Sequence, residues 1–60
     1  MSEHDIIETA RELSRGKAIK VIASSEVEVD NLRNRILDEV YHFKGSTDDV
    51  RLTINVKETT

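Results

Sequence analysis

Two strand-like runs separated by one long amphipathic stretch constrain this chain more than any other feature. Val50, Leu52, Ile54 and Val56 alternate with Arg51, Thr53, Asn55 and Lys57, the period of two expected of a strand with one buried and one wetted face. The other run, Lys17 to Ala23, is β-branched and bounded by Gly16 and by Ser24-Ser25. Between them Val29, Leu32, Ile36, Val40 and Phe43 step by 3, 4, 4 and 3, a helical stripe that Leu37 and Tyr41 widen and Gly45 ends. Strand, helix and strand in that order most simply form a right-handed parallel crossover.

A first amphipathic helix precedes this unit. From Ser2 to Arg15, Ile6, Ile7, Ala10 and Leu13 recur at helical spacing among Glu8, Arg11, Glu12 and Arg15. Ser2 with Asp5 is a weak capping box, Glu3 and Asp5 suit the positive end of the helix dipole, and Gly16 is a stop signal. In the first strand Ile19, Val21 and Ala23 form one face and Ala18, Lys20 and Ile22 the other, which predicts an interior strand with both faces at least partly covered. The second helix has two candidate N-caps, Ser25 and Asp30, and the period of two in Glu26 to Val29 allows a strand extension instead. Gly45 to Asp49 reads as a turn, and Glu58, Thr59 and Thr60 as a frayed tail.

The expected fold is α+β, one small two-layer domain over residues 1–60 in the order helix, strand, helix, strand. The wetted face of the last strand requires both helices to share the opposite face of a short sheet. Two strands alone make a marginal sheet with open edges, and a core of this size supplies roughly 3–5 kcal/mol. Dimerisation is therefore expected to complete the sheet, with Val50, Leu52, Ile54 and Val56 as the dimer interface.

Composition removes most chemistry. The chain has no cysteine, so disulfides and thiolate zinc sites are excluded, and His4 and His42 are too few for an all-histidine metal site. His4 with Glu8 and Asp38 with His42, each four apart, read as surface ion pairs, and Thr47-Asp48-Asp49 lacks the spacing of a calcium loop. No metal and no cofactor is expected. Ser14, Ser24, Ser25 and Ser46 are not framed by any motif with a base, and Glu26, Glu28 and Asp30 read as an acidic edge near a helix start. This points away from an enzyme. No apolar run has the length of a signal peptide or membrane span, so a cytoplasmic protein without membrane contact is expected.

A net charge of −3 repels nucleic acid on average, so any such binding needs a segregated cationic patch. Two groups qualify. Arg51 and Lys57 share the polar side of the last strand with Thr53 and Asn55, joined by Lys20, while Arg33 and Arg35 lie on the second helix. No aromatic residue stands among them to stack on bases. The expected function is a small non-enzymatic protein-binding or regulatory homodimer; the alternative is nucleic-acid binding through the exposed polar sheet face.

Leu13-Ser14-Arg15-Gly16-Lys17-Ala18, followed by an apolar strand and an amphipathic helix, resembles the helix-strand-helix stretch of the Alba family and of kink-turn-binding ribosomal proteins. That resemblance implies nucleic-acid binding. The chain lacks the glycine-asparagine entry motif of the ribosomal family and the basic loop of Alba proteins. Leu32 to Val56 resembles the C-terminal dimerisation half of the bacterial cell-division topological specificity factor. A pattern shared with three unrelated families is a supersecondary motif and assigns no family.

Overall fold

The computed structural model describes residues 1–58; the expected fraying at Thr59 and Thr60 lies outside the described residues. Four elements follow in order: α1 (Glu3–Ser14), β1 (Ile19–Ala23), α2 (Glu26–Lys44) and β2 (Leu52–Val56).

Each helix end has a local chemical cause. At the start of α1 the Ser2 hydroxyl accepts the Asp5 N–H at 3.2 Å. At its end Gly16 adopts φ +90°, donating its N–H to Leu13 O at 3.0 Å while Lys17 N–H reaches Glu12 O at 3.2 Å. These two bonds close a Schellman motif, which satisfies carbonyls the helix cannot bond internally. Ser25 caps α2, accepting the Glu28 N–H at 3.2 Å, so the helix begins at Glu26 and neither an Asp30 cap nor a strand extension forms. The Glu28 side chain adds a bond of its own, its carboxylate accepting from the Ser24 hydroxyl. Gly45, left-handed at φ +76°, ends α2 by donating to Tyr41 O at 2.8 Å.

β1 and β2 pair in parallel with Ile19 opposite Leu52 and Ala23 opposite Val56, and α2 forms the crossover between them. The core lies on one side of this sheet. Ile6, Ala10 and Leu13 from α1 and Val29, Leu32, Ile36 and Val40 from α2 are buried with Ala23 and Ile54, flanked by Ile19, Val21, Val50, Leu52 and Val56. Both helices therefore share one sheet face, as the alternation in β2 predicts.

Two expectations fail. β1 is not an interior strand covered on both faces: Ala18, Lys20 and Ile22 are exposed, Ile22 by 55 %. Both helices pack on the Ile19, Val21 and Ala23 side, and among the described residues nothing covers the other side or pairs with the far edge of β1. Nor do Phe43 and Tyr41 continue the buried stripe of α2, being 44 % and 58 % exposed. A 19-residue helix is about 28 Å long whereas a five-residue strand spans about 17 Å, so the last turn of α2 runs past the sheet. There the Arg11 guanidinium covers Phe43, 5.8 Å from the ring centroid.

Candidate functional site

In a parallel ladder, alternate residues of a strand turn both backbone groups toward one neighbour. Ile19 N–H donates to Arg51 O at 3.0 Å and Lys57 N–H to Ala23 O at 2.7 Å, so the odd-numbered residues of β2 face β1. The N–H and C=O groups of Leu52, Ile54 and Val56 consequently point to the free edge of the sheet. Their side chains do something different: Ile54 is buried under the helices, and Leu52, Val56 and nearby Val50 are half-buried against the same core. What the strand offers outward is thus a row of backbone donors and acceptors.

The outer sheet face is the second feature. Lys20 stands opposite Thr53 and Ile22 opposite Asn55, with Arg51 and Lys57 at the two ends of β2 on the same side. All six are exposed, and no carboxylate occupies this set of positions. Three cations at these outward positions of a chain with net charge −3 make a local basic group, bordered at its Lys57 end by the groove that holds Glu26, Asp30 and Glu58.

Arg33 and Arg35 do not join it as one group. Arg33 lines a groove of about 870 Å³ together with Lys57, Asn55, Glu26 and Asp30, so its surroundings carry both charges. Arg35 points to the other side of α2 and forms an ion pair with Glu3 of α1. Residues two apart on a helix lie about 200° apart around its axis, which separates them.

The histidine pairs expected at the surface are absent among the described residues, where the ion pairs are Glu8 with Arg11, Glu12 with Lys17 and Glu3 with Arg35. Arg11 occupies Glu8, while His42 turns its Nδ1 to the backbone carbonyl of Asp38, 2.9 Å away. Asp38, Glu39 and His42 do bring ligand atoms within 4.8 Å of one another on the solvent side of α2. Three donors from a single helix fall short of the four that close a structural zinc site. Ser25 serves as a cap and Ser24 as the partner of Glu28, and Ser14 donates to Arg11 O at 2.7 Å.

Glu12 and Lys17 lie 2.8 Å apart, and the Lys17 ammonium lowers the Glu12 carboxyl; nothing in the sequence spacing announces this contact. No helix among the described residues is long and apolar enough to cross a membrane. No protein-family model, curated protein or solved structure matches the chain.

Proposed function

We propose that the chain is a non-enzymatic binding protein that works as a homodimer, with its sheet continued across a twofold axis through β2. The observation that carries this reading is the row of backbone N–H and C=O groups of Leu52, Ile54 and Val56 turned to the free edge of a sheet of only two strands. A second copy supplies partners for them.

Antiparallel pairing of β2 with its mate about a twofold axis perpendicular to the sheet keeps all four helices on one side. Centred on Ile54, it sets Ile54 against its own copy and Leu52 against Val56, joining the backbone groups that point to the free edge. The side chains of Leu52, Ile54 and Val56 stay in the core while their main chains make the junction. Stability then depends on protein concentration, since a folded state that gains from association obeys mass action.

Amide hydrogen exchange tests this directly. In a dimer the N–H groups of Leu52, Ile54 and Val56 are protected along with those of Thr53 and Asn55, and the protection weakens on dilution. Protection confined to Thr53, Asn55 and Lys57 at every concentration contradicts it.

A further inference from the structure

We infer that the outer sheet face binds the phosphate backbone of nucleic acid, through Lys20, Arg51 and Lys57. The inference rests on the proposed dimer for its strength, because the twofold axis perpendicular to the sheet places both outer faces side by side and doubles three cations to six.

Several observations favour a polyanion. None of the six outward strand positions carries a carboxylate, although acidic residues outnumber basic ones by twelve to nine in the chain, and Glu26, Asp30 and Glu58 border the set only at its Lys57 end. None of the three cations forms an ion pair among the described residues, whereas Arg11, Lys17 and Arg35 each do. Thr53 and Asn55 lie between them with exposed hydrogen-bonding groups, the residue types that contact phosphate and sugar. Neither Tyr41 nor Phe43 belongs to this face, so the stacking platform needed to hold unpaired bases is missing. The occupant is accordingly a duplex, held by its backbone without reading its sequence. Arg33 lies on α2, on the helix side of the sheet, and Arg35 is engaged with Glu3, so neither belongs to the outer face.

Counterion release makes the number of engaged cations measurable. Binding weakens with a log-log salt slope of about −0.9 per neutralised phosphate, giving about −5 for six cations and about −3 for three. Between 50 and 200 mM salt the affinity of the dimer falls roughly 1,000-fold, and that of an isolated copy about 40-fold.

The experiment is fluorescence anisotropy of a labelled 20-base-pair DNA duplex titrated with the full chain across that range of sodium chloride, beside sedimentation of the protein alone. A slope near −5 supports both the face and the dimer. A slope near −3 that Arg51→Gln lowers further supports the face and overturns the dimer. No binding at 50 mM by a protein that sediments as a dimer overturns the duplex-binding face and leaves the dimer standing. Lys20→Gln, Arg51→Gln and Lys57→Gln, made singly, each lower the dimer slope to about −3.6. Arg15→Gln, an equal change of charge beyond the end of α1, leaves the slope unchanged. Equal losses for Arg15→Gln and the three face variants overturn the assignment to this face. Binding to anionic lipid vesicles or to a poly-glutamate peptide with none to the duplex overturns it as well.

Discussion

The Lys17 ammonium lies 2.8 Å from Glu12 Oε2, across the same two residues whose main chains close the end of α1. In a Schellman motif an apolar contact commonly spans these positions; here the contact is ionic. The fold therefore ties the direction of the chain into β1 to a titratable group. The hydrogen bond from Lys17 and then its charge hold the Glu12 carboxyl below its ordinary 4.5, helped by Arg15 and Arg11 and opposed by partial burial.

A depressed carboxyl binds protons less readily folded than unfolded, so its contribution to stability is complete above the unfolded value and disappears as pH falls through the folded one. Glu12→Gln should lower the thermal midpoint at pH 7 and leave no difference from the parent at about pH 2, where both side chains are neutral. Circular dichroism melts at the two pH values check this, and an equal difference at both refutes the ionic account.

Ile36 is fully buried at the centre of α2, between Leu32 and Val40 on the helix and in one cluster with Ile54. Ile36→Ala should cost roughly 2–5 kcal/mol through lost burial and the cavity left behind, as much as the whole core of a domain this size supplies. Asn34→Ala, on the exposed side, should change stability by under about 0.5 kcal/mol. Urea titrations of both variants measure the contrast.

The caps give a finer test. Ser25→Ala removes the acceptor for the Glu28 N–H and should cost about 1 kcal/mol. At Gly16 an added methyl group meets no atom within 4 Å, so the cost of Gly16→Ala comes from φ +90° alone, about 1–2 kcal/mol. Equilibrium unfolding of Gly16→Ala close to that of the parent would mean that the left-handed turn relaxes.

Periodicity made the helices, the strands and their shared layer legible, because the burial rhythm of each element is written in its own residues. Features that depend on what lies opposite an element were not. Nothing in Ala18, Lys20 and Ile22 records that no layer covers them, and nothing in Tyr41 or Phe43 records that the sheet ends before the helix does. Glu12 and Lys17 are five apart, outside the spacing that brings residues together on a helix, and meet only because the chain reverses at Gly16. The cations of the outer face were readable from strand parity for Arg51 and Lys57 and joined to Lys20 by the register, and helical spacing already parts Arg33 from Arg35, whereas their neighbours, the end of β2 for Arg33 and Glu3 of α1 for Arg35, needed the packing of the elements.

Sedimentation equilibrium at micromolar concentration tests the proposed twofold sheet most directly. The account predicts a species of twice the 6.8 kDa chain mass that dissociates and loses stability together on dilution. A folded species of 6.8 kDa whose thermal midpoint does not change with concentration would contradict it.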